Sequence, residues 1–126
     1  IDIDAVGNWA EKKGVGYSGY VDLSSKSEVA ELVKDCVSEV NEDLLKEKDL
    51  KGSVIKKFLV LPKELDADDD ELTRTRKVRR NFINEKYKIL IDALYSSVDN
   101  CDFETKGTFE DGRTGSLKAN VKILNC

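Results

Sequence analysis

The sequence predicts one α+β domain, with about three helices and a small, mainly antiparallel sheet of about three strands that includes a C-terminal hairpin. Three observations carry this expectation. Residues 29–44 repeat apolar side chains every three to four positions, the period of a helix lying on a core. Residues 101–109 and 117–123 alternate apolar and polar side chains, the period of strands with one buried face. The chain has 126 residues, 40% of them apolar and 37% charged. That is long enough for one core and too apolar for a disordered chain.

Taken in order, Asp4 is expected to cap a short helix through Val6, Trp9 and Ala10 that ends at Gly14. Residues 14–24, punctuated by glycines, read as a loop. The spacing of Gly14 and Gly16 matches neither GxGxxG nor a Walker A sequence, so a phosphate loop is not expected there. Ser25 to Glu28 has the form of a capping box, opening a helix with Val29, Leu32, Val33, Cys36, Val37, Val40 and Leu44 on one face and a Glu42–Lys46 pair near its end. Ser53 to Leu61 is expected to be a central strand: Val54, Phe58 and Val60 face one way, Ile55, Leu59 and Leu61 the other, and Pro62 ends it. Helical period returns from Lys77 to Tyr95 through Phe82, Ile83, Tyr87, Leu90, Ile91 and Leu94. The hairpin closes the chain. Cys101, Phe103, Thr105, Gly107 and Phe109 oppose Asp102, Glu104, Lys106 and Glu110, and Asp111-Gly112 lies in the connection to Leu117, Ala119, Val121 and Ile123.

Composition excludes several chemistries. There is no histidine, and Cys36, Cys101 and Cys126 are widely and unequally spaced without a CxxC. A Cys/His metal site and a histidine base are therefore not expected, and the cysteines read as reduced thiols, with Cys36 a small core hydrophobe. No run approaches the ~20 apolar residues of a membrane span, nor does the start resemble a signal peptide. The chain lacks methionine and opens with Ile1-Asp2-Ile3-Asp4, which predicts a piece of a longer protein.

The oddest feature is a reversal of charge. Six of the eight residues from Glu64 to Glu71 are acidic, and five of the seven from Arg74 to Arg80 are basic. Expected at the start of a helix, these bases repel its positive end by ~0.3–1 kcal/mol each when exposed. Either the acidic run neutralises them within the chain, or an anionic group such as a phosphate docks there. One reading is therefore a non-enzymatic α+β interaction module with an anion-binding basic helix start, whose basic segment pairs with its own acidic run or with an acidic partner. Nucleic-acid binding ranks below both, because the net charge is -4 and the neighbouring segment is acidic.

The same segment, Glu71-Leu72-Thr73-Arg74-Thr75-Arg76-Lys77-Val78-Arg79-Arg80, resembles the C-terminal signature of AMP-forming acyl-CoA synthetases in the adenylate-forming superfamily. The general pattern there ends in Gly-Lys-Ile-x-Arg, and the long-chain fatty acid–CoA ligase branch writes it Glu-Leu-Thr-x-Thr-x-Lys-x-x-Arg. The likeness extends to Ile55–Glu64 before the motif and to Glu85-Lys86-Tyr87 and Ile91–Tyr95 after it. Asn8–Ala10 and Val37–Asn41 are also similar to a bacterial subgroup, so the resemblance covers roughly residues 4 to 95. Asp111 to Gly115 resembles that subgroup's end. Residues 1–126 are thus expected to be a lid-domain fragment, with 1–95 as the family-like core and 96–126 as a hairpin extension.

The resemblance implies that Lys77 is the catalytic residue, swinging in to bridge a fatty acid carboxylate and the α-phosphate of ATP. It implies a phosphate-near or structural place for Arg80 and Thr75, and no metal ligands here. ATP with magnesium would be held mainly by an N-terminal adenylation domain, with CoA as co-substrate. The enzyme would be cytoplasmic, with peripheral membrane contact left open, and this piece alone would not turn over. Two departures stand out: Arg76 replaces the general pattern's glycine, and Arg74 a frequent proline.

Overall fold

The computed structural model describes residues 1–108 and 112–126. Phe109, Glu110 and Asp111, expected on the hairpin's inner face, on its outer face and in its connection, lie outside the described residues.

The α+β class is observed, with more and shorter elements than the sequence predicts. Helix α1 spans Ile3–Lys13 and is capped by Asp2, whose Oδ1 accepts from Ala5 N at 2.9 Å. Asp4 is not the cap. It lies in the first turn, where its charge suits the positive helix end. Gly14 ends α1 as expected, with φ 72°, a conformation that costs a side chain steric energy.

The expected loop 14–24 contains a second helix, α2 (Tyr20–Ser25). Asp22 fastens its entry by accepting from Ser18 N at 2.9 Å, and Leu23 is fully buried. Six residues are too few to show a helical period, which is why glycine and serine dominate the sequence signal. Helix α3 spans Ser27–Lys46, but its capping box does not form. Ser25 Oγ donates back to Asp22 O at 2.8 Å inside α2, and an extended Lys26 separates the two helices. Only the first part of α3 meets the core. Val29 is fully buried, whereas Val40 is 49% exposed and Cys36 is also exposed, so Cys36 is not a core hydrophobe. Near the end Lys46 pairs with Asp43 at 2.8 Å rather than with Glu42.

The expected central strand is mostly absent. A 3-10 turn occupies Lys51–Ser53, and only β1 (Lys57–Phe58) joins a ladder, antiparallel to β4 (Leu124–Asn125). The Asn41 side chain on α3 takes a neighbouring strand's place, accepting from Ile55 N at 2.7 Å and donating to Ile55 O at 2.8 Å. Ile55 is itself exposed, so the segment is not covered on both faces.

The helix expected over residues 77–95 is two helices, α4 (Arg80–Lys86) and α5 (Lys88–Leu94), joined at Tyr87. The long hairpin is as the alternation predicts. Strands β2 (Asn100–Thr108) and β3 (Thr114–Lys122) pair in the register Cys101–Val121, Phe103–Ala119, Thr105–Leu117 and Gly107–Gly115. The described strands therefore form two separate two-stranded sheets rather than one of three.

Two clusters make the core. Tyr87, Leu90, Phe103 and Val121 are buried between α5 and the β2–β3 hairpin, with Leu59, Leu61 and Leu65 against them. The rings of Tyr87 and Phe103 stack at 5.3 Å. Ala10, Leu23 and Val29 join α1, α2 and α3 in the second cluster. Among the described residues no helix is long and apolar enough to cross a membrane. Leu90 is the largest aliphatic side chain of the first cluster, at 1% exposure. Leu90→Ala should cost about 2–5 kcal/mol in denaturant unfolding, and a loss below about 1 kcal/mol would show that this cluster does not carry the fold.

Candidate functional site

The site begins with a buried charge. Glu71, the last residue of the acidic run, has 0% exposure. Removing a carboxylate from water costs several kcal/mol unless charges and donors replace the water. Three side chains do so: Lys63 Nζ and Tyr87 Oη hydrogen-bond to it, and Lys86 Nζ lies 3.6 Å from Oε2. The Asp66 amide adds a longer contact at 3.3 Å.

A second acid extends this node. Lys63 Nζ lies 2.9 Å from Asp69 Oδ2, which is buried and has that ammonium as its charge partner but no donor aligned on it. Asp69 Oδ1 accepts from the Thr108 amide at 2.9 Å and from its hydroxyl at 2.8 Å. Burial pushes the Asp69 carboxyl up, and this is the largest single influence. The close Lys63 ammonium and the Thr108 hydrogen bonds, with the charge of Lys86, together outweigh it and hold the group below the usual aspartate value. For Tyr87, burial first and Glu71 second raise the phenol far above its ordinary value, so it stays a neutral donor.

From this anchor the chain doubles back. Glu71 O accepts from Arg79 N at 2.9 Å, Leu72 and Val78 form a β-bridge, and Thr73 N donates to Lys77 O at 2.8 Å. The turn closes with Arg76 N donating to Thr73 O at 2.9 Å, and Thr73 Oγ1 accepts from Lys77 N at 3.1 Å. Arg76 has φ 60°, the left-handed position of a three-residue hairpin loop at which glycine is favoured. The basic stretch therefore forms a tight hairpin over residues 71–79, and α4 starts only at Arg80. This corrects the basic helix start: Arg80 alone lies in a first helical turn.

The hairpin points its charges outward. Arg74, Arg76, Lys77 and Arg80 are exposed, and none makes an ion pair among the described residues. Arg79 is the exception. It meets Asp70 Oδ1 at 3.0 Å and lies over the Phe82 ring at 5.4 Å. The acidic run thus neutralises one base of five, because Asp69 and Glu71 are spent on lysines outside the segment. Thr75 Oγ1 is 3.1 Å from Thr73 Oγ1, at the loop tip.

Lys77, Thr75 and Arg80 are each exposed, the first two on the hairpin and the third at the start of α4. Sequence reasoning placed Glu71 in the motif without a role, and missed Lys63 and Asp69. The available signal was the last acid of the run standing directly before an apolar residue, Leu72, at the sign reversal. Among the described residues no group of three acids or cysteines could hold a metal ion.

Two outcomes test this geometry. Arg76→Gly exchanges left-handed strain of ~1–2 kcal/mol for unfolded-chain entropy of ~0.5–1 kcal/mol. It should leave the urea midpoint unchanged or raise stability by up to about 1 kcal/mol, while Arg76→Val should lower it by at least that. Asp69, with its folded value depressed, contributes stability that is present above the unfolded value of about 3.9 and is lost as pH falls through the folded value. The stability gap between the protein and Asp69→Asn should be constant from pH 7 to about pH 5 and close below about pH 4. A gap independent of pH down to acid unfolding would contradict the ion pair.

No protein-family profile matches the chain, and no solved structure does. Among curated proteins it is similar to the “Putative fatty-acid--CoA ligase fadD11” of Mycobacterium tuberculosis, in strains CDC 1551 / Oshkosh and ATCC 25618 / H37Rv, at 32% identity over 96 residues in each. The match covers 76% of this chain, which spans only 16% of the length of those relatives. At this level, the chain is similar to one part of a protein named as a fatty-acid–CoA ligase.

Proposed function

We propose that this chain is the C-terminal mobile domain of an AMP-forming long-chain fatty acid–CoA ligase, a cytoplasmic enzyme of which it is the lid. The supporting observation is Lys77: an exposed ammonium without an acidic partner among the described residues, on a hairpin whose base is fixed by Glu71, in a chain similar to part of a fatty-acid–CoA ligase.

In the first half-reaction a carboxylate oxygen of the fatty acid attacks the α-phosphorus of ATP. The bond to the β-phosphate breaks, and pyrophosphate leaves with the electron pair. Negative charge gathers between the carboxylate and the α-phosphate oxygens, and the Lys77 ammonium donates to both. A point charge suits this position better than a planar guanidinium, whose fork addresses two oxygens of one group. Thr75 and Arg80 serve as phosphate-near or structural groups of the same motif. Nucleotide, magnesium and acyl chain are held mainly by an N-terminal adenylation domain, and CoA accepts the acyl group in the second half-reaction. The 126-residue chain alone performs no turnover.

In the full-length protein, Lys77→Ala should lower acyl-adenylate formation by at least ~10²–10³-fold, the scale for a lost transition-state donor. Conversion of supplied acyl-adenylate and CoA to thioester should stay within about twofold, and Lys77→Arg should not restore adenylation. Equal loss of both half-reactions with the fold intact would overturn the assignment.

A further inference from the structure

The β2–β3 hairpin reaches the Glu71 node at one place. Thr108, the last residue of β2, gives both its amide (2.9 Å) and its hydroxyl (2.8 Å) to Asp69 Oδ1. The neighbouring Gly107 makes the approach close. A Cβ there would sit 3.3 Å from Lys63 Cε and 3.6 Å from Asp69 Oδ2, tighter than an unstrained contact with the first. From Asp69 the contacts continue without a gap. Oδ2 meets Lys63 Nζ at 2.9 Å, Lys63 Nζ donates to Glu71 and to Glu64 O at 2.7 Å, and Glu71 O holds Arg79 N at 2.9 Å. The side chains of Asp69, Lys63 and Glu71 are all largely buried, at 7%, 12% and 0% exposure. In such surroundings a charge whose partner shifts cannot turn to water instead, so displacement of one member is passed to the next.

We propose that Thr108 is a positioning residue for Lys77: through Asp69 and Lys63 it fixes Glu71, and thereby the hairpin that carries the ammonium. The role in catalysis rests on the function proposed above. The mechanical role does not, because it concerns only where the hairpin sits. On this account the C-terminal hairpin is the brace of the basic loop, and its inner face does more than complete the core. Thr108→Val keeps the amide bond and the side-chain volume but removes the hydroxyl donor, so it loosens the contact without emptying the site.

The test uses the full-length protein. Thr108→Val should lower kcat of adenylation about tenfold with KM for ATP and fatty acid changed less than twofold. Thr108→Ser, which keeps the donor, should restore it. In a Lys77→Ala background, Thr108→Val should have less than a twofold further effect, since the group it positions is gone. Amide hydrogen exchange gives a readout independent of catalysis: the Arg76 and Lys77 amides should exchange about five- to tenfold faster in Thr108→Val, with α1 to α3 unchanged. An equal loss with and without Lys77, or hairpin exchange unchanged by Thr108→Val, would overturn the proposal. If Lys77→Ala leaves adenylation intact, the ligase assignment of Lys77 falls, and the positioning of the hairpin is decided by the exchange rates.

Discussion

A carboxylate with no contact with solvent sets the arrangement of the middle of this chain. Glu71 is held by Lys63 from the segment before the acidic run, by Lys86 at the end of α4, and by Tyr87 between α4 and α5. Losing any one of them would leave a buried charge partly unpaired, which costs far more than an exposed pair contributes. The three segments are therefore bound to one geometry. Tyr87 extends the constraint into the apolar core, since its hydroxyl faces Glu71 while its ring stacks on Phe103. The polar node and the hydrophobic cluster share one residue.

The same constraint explains the reversal of charge. A run of acids beside a run of bases would ordinarily neutralise itself, and among the described residues only Asp70 and Arg79 do so. The chain turns sharply after Glu71, sending the two most buried acids toward lysines and the bases away from them. Asp70 at φ 61° and Arg76 at φ 60° are the two non-glycine residues with positive φ among those described, one at each side of the reversal. Asp tolerates that conformation through local hydrogen bonding. Arg76 has no such help, so its placement depends on the rest of the hairpin, and a glycine in the general acyl-CoA synthetase pattern is what the geometry favours at this position.

Local patterns were legible in the sequence where one element could satisfy them alone. The alternation in 101–108 and 117–123 predicts which side chains of the hairpin face the core, because a slip by one residue would turn all of them outward. Gly14 predicts the end of α1. Patterns that needed a partner were misread. Ser53 to Leu61 has strand composition, yet a strand requires a neighbour, and Asn41 and β4 supply only fragments of one. The stripe on α3 predicts burial along the whole helix, but the core reaches only its first turns. The stretch 77–95 shows one helical period because α4 and α5 share a face, and the period cannot register a break at Tyr87. Lys77 and its neighbours are candidates through the resemblance of their motif. The residues that place them, Lys63 and Asp69, carry no local signature, since an ion pair between distant positions is visible only once the chain is folded.

A lysine ammonium rides on four methylenes, and its electrostatic effect falls with distance, so a useful point charge must be delivered from a backbone whose position is defined. The exposed hairpin could have been a loose loop. Instead its base is clamped at Glu71 O, its rungs are closed at Leu72–Val78 and Thr73–Lys77, and the Lys77 amide itself is held by Thr73 Oγ1. Each of these contacts restrains main chain and leaves the side chain unengaged. A surface loop selected only for solubility would have no use for a buried carboxylate beneath it. The combination of a fixed backbone and an ammonium without an acidic partner among the described residues is what a group brought to an anion from outside requires, and it is the physical argument for the proposed ligase reading.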